Sequence, residues 1–167
     1  CGCRGTGKTT LAKLMSRAIN CQNPTQGDPC GECEACRAIM NETTMDVLEM
    51  DAASNSRVED VRELLDQVRY PPQLGRYKVY IIDEVHMLSN SAFNALLKTL
   101  EEPPAHVVFI LATTEPQKLP ATILSRVQRY DFGRIPSELM VERMQEALDD
   151  LNITADGEAL RMVARAA

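Results

Sequence analysis

The opening residues Gly2-Cys3-Arg4-Gly5-Thr6-Gly7-Lys8-Thr9 fit the spacing G-x-x-x-x-G-K-[ST] at every fixed position. Each residue type answers a need of phosphate binding. The glycines let the backbone curl until its N–H groups point inward at phosphate oxygens. A helix that begins here adds its positive N-terminal end to the same point. Lys8 has the reach and charge for the β- and γ-phosphates, and Thr9 offers a hydroxyl to Mg2+. Gly2, Gly5, Thr6, Gly7, Lys8, Thr9 and Thr10 form the expected nucleotide-binding set. The competing reading, a chance glycine-rich turn, does not account for the amphipathic pattern that follows in the required place.

A phosphate loop of this kind needs a carboxylate at the end of a buried strand. Val79-Tyr80-Ile81-Ile82-Asp83-Glu84 supplies an uninterrupted apolar run and then two acids. Asp83 suits a Mg2+ held largely through water. Glu84 suits the orientation and polarisation of an attacking water. By itself such a pair is equally a solvated strand end or a helix cap; the upstream loop favours chemistry. Together the two segments indicate nucleoside triphosphate hydrolysis, and no residue reads the base.

Cys21, Cys30, Cys33 and Cys36 have the spacing C-x8-C-x2-C-x2-C. Four thiolates on a tight loop can surround one tetrahedral Zn2+, with Pro29 and Gly31 giving the turns. A loop without a core of its own needs such a staple. A catalytic zinc would call for an open position and usually a histidine. An iron–sulfur cluster is the alternative, although the expected final Cys-Pro is absent. Cys1 and Cys3 are expected to be free thiols without a role.

These groups must be positioned by regular elements. Lys8 to Asn20 reads as a helix with Leu11, Leu14, Met15, Ala18 and Ile19 on one apolar stripe. Asn20 to Cys36 reads as loop. Val47 to Met50, Val79 to Ile82 and Val107 to Ala112 read as strands, the last two buried on both faces, and Arg129 to Phe132 as a short fourth. Ser56 with Glu59 suggests a capping box for a helix marked by Val58, Val61, Leu65 and Val68 and stopped by Pro71-Pro72. Phe93, Leu96, Leu97 and Leu100 mark another helix, stopped by Pro103-Pro104. Beyond Ser137 the pattern is helical only, with stripes Met140, Met144, Leu148, Leu151 and Leu160, Val163, Ala167. Strands alternating with helices give an open, mostly parallel α/β sheet.

Composition agrees. Of 167 residues 44% are apolar but only 4% aromatic, with no Trp, so the core rests on aliphatic side chains. A net charge of −6 argues against a surface that coats nucleic acid, while leaving room for local phosphate contacts. No apolar run approaches a membrane span, nothing reads as a signal peptide, and clustered cysteines suit a metal rather than disulfides, so a cytoplasmic location is expected. The chain opens inside a motif without Met, and is expected to be a fragment lacking the strand that feeds the loop.

Asp83-Glu84-Val85-His86-Met87-Leu88-Ser89 and the run Phe93 to Pro104 resemble the gamma/tau clamp-loader family of bacterial DNA polymerase III. So do Asp51-Ala52-Ala53-Ser54, Ala112 to Pro120, and the four-cysteine insertion after the P-loop helix. This resemblance implies a P-loop NTPase of the AAA+ type. Residues 1–134 would be the nucleotide-binding domain, with the zinc insertion at about 20–40, and residues 135–167 the start of an all-helical lid. It implies ATP, Mg2+ and structural Zn2+, neighbouring AAA+ subunits, a sliding clamp, primed DNA and the replicative polymerase as partners, and a nucleoid-associated replisome. It also implies roles for two further residues: Thr114 as a sensor of the γ-phosphate, and Arg126, in Leu124-Ser125-Arg126, as an arginine finger acting on a neighbour's ATP. Spacing alone would make Thr114 a turn residue and Arg126 a surface ion pair. Where the family has Cys after Ser-Arg, this sequence has Val127. The segment, lacking the family's first strand and lid arginine, is expected not to hydrolyse ATP alone. Rival readings are a DExH-type helicase, which Asp83-Glu84-Val85-His86 also fits, and a loader scaffold that does not hydrolyse. No polymerase constellation is visible, so DNA-directed DNA polymerase activity would belong to the assembly.

Overall fold

The computed structural model describes residues 1–166. Val79, Tyr80, Ile81 and Ile82 are wholly buried, and a strand apolar on both faces must be covered on both. It is accordingly the middle strand, β2 (Lys78–Asp83), of a parallel sheet ordered β1 (Val47–Asp51), β2, β3 (Val107–Leu111). Parallel neighbours require crossovers. These are α3 (Val58–Gln67) and α4 (Asn90–Glu101). Ser89 starts α4 by accepting the Ala92 N–H at 3.3 Å.

Side-chain alternation along β2 divides the core. Tyr80 packs with Leu64 and Val68, and its ring stacks on Phe109 with centroids 5.4 Å apart. Ile82 packs with Val61, Phe93, Leu96 and Ile123, the last from α5 (Ala121–Leu124). Val79 and Ile81 face the opposite way, onto Ala12 and Ile19 of α1 (Lys8–Asn20).

Several expectations change here. Helix α1 has the expected limits, but Leu11 and Met15 are 38% and 42% exposed, and Ala12, Ser16 and Asn20 are the buried residues. The helix meets the sheet on small residues, which allow close approach, and buried Ser16 satisfies its hydroxyl on the Ala12 carbonyl at 2.8 Å. The cap of α3 lies one residue later than Ser56–Glu59: the Arg57 N–H donates to Asp60 Oδ2 at 3.0 Å. The cysteine loop contains a helix, α2 (Glu34–Met40), packed on α1. Arg129–Phe132 forms no strand. A single parallel bridge joins Phe132 to Gly2.

The backbone divides into two compact units, Cys1–Phe132 and Gly133–Ala167. In the second, α6 (Ser137–Asp150) packs on α7 (Gly157–Ala166). Met140, Met144 and Leu148 are half-buried, but Leu151 is exposed. In α7, Leu160 and Ala164 are the buried pair while Val163 is exposed, so the stripe follows an i, i+4 step rather than i, i+3; Ala167 lies outside the described residues. No helix among the described residues is long and apolar enough to cross a membrane.

Two buried polar side chains fix the segment that leads into β2. Asp46 accepts N–H groups of Gln73, Leu74 and Gly75 at 2.6, 2.7 and 2.8 Å. Asn20, at the end of α1, accepts from Arg76 and Tyr77 at 2.9 and 2.8 Å. The register of β2, and hence the location of Asp83, is pinned by these bonds. Asp46→Ala would leave three N–H groups without their acceptor, and a loss of about 3 kcal/mol in unfolding free energy is expected by denaturant titration. A Cβ on Gly75 would lie 2.5 Å from Asn20 Oδ1, so Gly75→Ala is expected to cost about 1–3 kcal/mol in the same measurement.

Candidate functional site

The loop from Gly2 to Thr9 sits at the carboxyl end of the sheet, where open α/β folds bind ligands. The Gly2 N–H donates to the carbonyl of Thr113, just beyond β3, at 3.2 Å. On its other side Gly2 meets Phe132 so closely that a Cβ would lie 2.8 Å from both Phe132 Cβ and its carbonyl oxygen. Gly5 and Gly7 have φ of 74° and 82°, in the left-handed region that favours glycine. Nothing lies within 4 Å of a Cβ built on either. The three glycines therefore serve different needs: close approach at Gly2, backbone curl at Gly5 and Gly7.

Gly7 caps α1, so the first-turn amides open toward the loop. The Lys8 ammonium donates to the carbonyls of Gly2 and Cys3 at 2.9 and 2.6 Å, and the Thr6 hydroxyl to Cys3 at 2.8 Å. Thr10 is exposed on the first turn of α1. The Thr9 hydroxyl donates to Asp83 Oδ2 at 2.6 Å, joining residues 74 positions apart. Two hard oxygen donors side by side are what a Mg2+ site requires. Asp83 Oδ1 accepts the Glu84 N–H at 2.8 Å.

Glu84 lies at φ 45°, ψ 43°, the left-handed region, which is strained for a residue with a Cβ. That turn aims its side chain across the end of β3. Glu84 Oε2 accepts from the Thr114 hydroxyl at 2.9 Å and from the Thr114 N–H at 3.2 Å. Oε1 is 4.0 Å from Arg4 Nε. Thr114, Glu84, Asp83 and Thr9 thus come together, while the Lys8 ammonium rests on the carbonyls of its own loop. Arg126 does not join them. Its guanidinium donates to Glu101 Oε1 and to the Thr122 carbonyl, both at 2.7 Å, at the ends of α4 and α5.

Four neighbours lie in motifs read from the sequence without having been given a role there: His86, Thr113, Glu115 and Lys118. The His86 side chain is 6% exposed and has Nδ1 2.9 Å from the Thr113 hydroxyl and 3.3 Å from Glu84 Oε2. Its Nε2 is 3.1 Å from Glu115 Oε2. Lys118, bonded to Glu115, holds that carboxyl below its ordinary range. The run Asp83-Glu84-Val85-His86 brought His86 into view only as a box residue, without these contacts.

The sulfurs of Cys21, Cys30, Cys33 and Cys36 all lie within 4.8 Å of one another. A tetrahedral Zn–S4 centre, with bonds of about 2.3 Å, spaces its sulfurs by about 3.8 Å. The set fits a metal of that kind. Backbone amides already point at the sulfurs: Cys30 N–H at Cys21 (3.3 Å), Cys33 N–H at Cys30 (3.3 Å), Cys36 N–H at Cys33 (3.4 Å). The Gln22 amide, first among several donors, brings the Cys33 thiol down to about 6, while burial pushes Cys36 up to about 12. A cation among the four would stabilise every thiolate, Cys36 included.

Comparison with known proteins follows this geometry. Residues 1–136 match the family described as DNA polymerase III, delta subunit. The chain is 54% identical over 166 residues to the DNA polymerase III subunit tau of Bacillus subtilis, covering 99% of this chain and 30% of that protein. It is 51% identical to subunit tau of Escherichia coli, covering 99% and 26%. The chain therefore spans less than a third of the length of these curated relatives. Among solved structures it resembles a DNA polymerase III gamma subunit-related protein of Thermotoga maritima (TM-score 0.55, 24% identity, 94% of this chain and 57% of that one). It also resembles the RuvB Holliday junction branch migration motor of the same organism (TM-score 0.64, 20% identity, 98% and 46%). The fold is that of AAA+ P-loop ATPases.

Because Gly2 is wedged between Thr113 and Phe132, Gly2→Ala is expected to displace the loop at its root. The expected cost is about 1–3 kcal/mol. Thermal unfolding would register it, whereas Gly31→Ala, with open space around its Cβ, tests for φ strain alone.

Proposed function

This chain belongs to the DNA polymerase III, delta subunit family, and on that premise we propose that it is the motor portion of a gamma/tau subunit, binding and hydrolysing ATP in the clamp loader. The observation that carries this proposal is the 2.6 Å hydrogen bond from Thr9 to Asp83, which unites the phosphate loop with the acidic strand end. Residues 1–134 act as the nucleotide-binding domain and residues 135–167 as the start of a helical lid.

Each group has a task. The loop amides at Gly2, Gly5, Thr6 and Gly7, with the α1 N-terminus including Thr10, bind the phosphates, and Lys8 neutralises the β- and γ-oxygens. Thr9 and Asp83 hold Mg2+, which when bound supplies charge to the β- and γ-phosphate oxygens. Glu84 orients a water and takes its proton as the water oxygen forms a bond to the γ-phosphorus. The bond from that phosphorus to the β–γ bridging oxygen breaks, leaving ADP and phosphate. Thr114, bonded to Glu84, links this acid to the position of the γ-phosphate. Arg126, on the far side of α5, stabilises transition-state charge at the site of a neighbouring subunit. The four cysteines hold a structural Zn2+.

Binding of ATP would let the arc of loader subunits open the sliding clamp around primed DNA, and hydrolysis would release the closed ring to the replicative polymerase. Such a protein works in the cytoplasm, at the nucleoid replisome. Polymerase activity belongs to the holoenzyme and not to this chain.

In the full-length subunit assembled with its partners, Lys8→Ala is expected to abolish ATP-dependent clamp loading. Persistent loading would identify a scaffold that does not hydrolyse. Glu84→Gln is expected to keep ATP binding and lose about 100-fold or more in turnover. Metal analysis is expected to find one zinc per chain, lost together with several degrees of melting temperature in Cys36→Ser. A coloured, iron-containing protein would sink the zinc assignment.

A further inference from the structure

We infer that His86 is a positioning residue for ATP hydrolysis: its imidazole is a strut that sets the direction of the Glu84 carboxylate against the Thr113–Glu115 turn. This rests on the assignment of Glu84 as the acid that activates water. Three observations carry it. The ring is almost wholly buried, yet both nitrogens face carboxylate oxygens, Glu84 at 3.3 Å and Glu115 at 3.1 Å. The same Nδ1 lies 2.9 Å from the hydroxyl of Thr113, which is itself wholly buried and accepts the Glu115 N–H at 3.0 Å. And the left-handed backbone of Glu84 turns its carboxylate across the end of β3, where Thr114 and His86 meet it.

A carboxylate can only accept, and a buried imidazole must place its N–H somewhere. Whichever nitrogen carries the hydrogen, a carboxylate or the Thr113 hydroxyl stands within reach. With its hydrogen on Nε2 the ring donates to Glu115 while Nδ1 accepts from the Thr113 hydroxyl, and with its hydrogen on Nδ1 it donates to Thr113 or Glu84. Only a ring carrying both hydrogens bonds the two carboxylates at once, and in every form its bulk stands between them. Thr114 holds Glu84 Oε2 from one side and His86 limits it from the other. Lys118, 2.7 Å from the same Glu115 oxygen, anchors the far end. Apart from Glu84, whose Oε1 lies 4.0 Å from Arg4 Nε, none of these side chains bonds a side chain of the phosphate loop. Removing the strut should therefore leave nucleotide binding alone and spoil the aim of Glu84.

The experiment is steady-state ATPase kinetics and nucleotide binding with the full-length subunit in its assembly. His86→Ala is expected to lower kcat about tenfold while KM for ATP changes less than about twofold. His86→Asn, whose amide reproduces the Nδ1 position, is expected to recover more of kcat than His86→Gln, which reproduces Nε2. Glu115→Gln, which frees the far anchor, is expected to fall between wild type and His86→Ala. An unchanged kcat in folded His86→Ala would overturn the inference. So would equal loss of kcat and ATP affinity with a lowered melting temperature, which marks a purely structural histidine, or better rescue by Gln than by Asn. Glu84→Gln in the same assay separates the two levels. If Glu84→Gln still hydrolyses ATP, the assignment of Glu84 has failed; if it does not, and His86→Ala is normal, only the strut has failed.

Discussion

A single hydroxyl joins the two halves of the site. Thr9 opens α1, Asp83 closes β2, and the 2.6 Å bond between them is possible only if helix and strand end at the same level. That requirement reaches deep into the fold. The start of β2 is fixed by N–H groups gathered onto Asp46 and Asn20. Asn20 is also the last residue of α1. The same helix that presents Thr9 at one end therefore grips the approach to β2 at the other, and errors in relative position cannot accumulate along thirteen residues of helix.

The chemistry of the site follows from where strands end. β2 stops at Asp83, β3 at Leu111, and the loop from Gly2 bonds Thr113. Glu84, His86, Thr113, Thr114 and Glu115 thus lie just past the carboxyl ends of strands, where the ladder no longer consumes backbone groups, and Thr9 meets Asp83 from the first turn of α1. Among the site's non-glycine residues Glu84 alone has positive φ; Gln26, Glu42 and Asn152 share that conformation in turns elsewhere. A left-handed residue costs about 1–3 kcal/mol, and the wholly buried Val85 that follows it makes the bend affordable by locking the next turn into the core.

Much of this was legible because the sequence obeys strong local rules. Apolar continuity from Val79 to Ile82 can only be a strand covered on both sides, and the cysteine spacing implied a cluster that the backbone indeed assembles. What was not legible depends on tertiary partners. Periodicity put Leu11 and Met15 on the inner face of α1, but the helix meets the sheet through Ala12 and Ile19, leaving Leu11 and Met15 exposed. Cys33 seeds α2 by accepting the Cys36 N–H, a cap no propensity scale assigns to cysteine. The bonds of His86 come from Glu115 and Thr113, nearly thirty residues away, so composition alone could not announce them.

The cysteine cluster and the phosphate loop stand at opposite ends of α1, about 20 Å apart at 1.5 Å per residue. Nothing chemical passes between them. The connection is mechanical. Cys36 and Ile39 of α2 are buried together with Ala35, and α2 packs on α1. Four cysteine sulfurs within 4.8 Å of one another close the loop between those helices. A seven-residue helix is too short to persist unaided, so α2 exists because the cysteines gather at its start. In turn α2 covers the C-terminal end of α1 beside Asn20, which carries the bonds into β2. The cluster thus steadies, from a distance, the strand whose last residue meets Thr9.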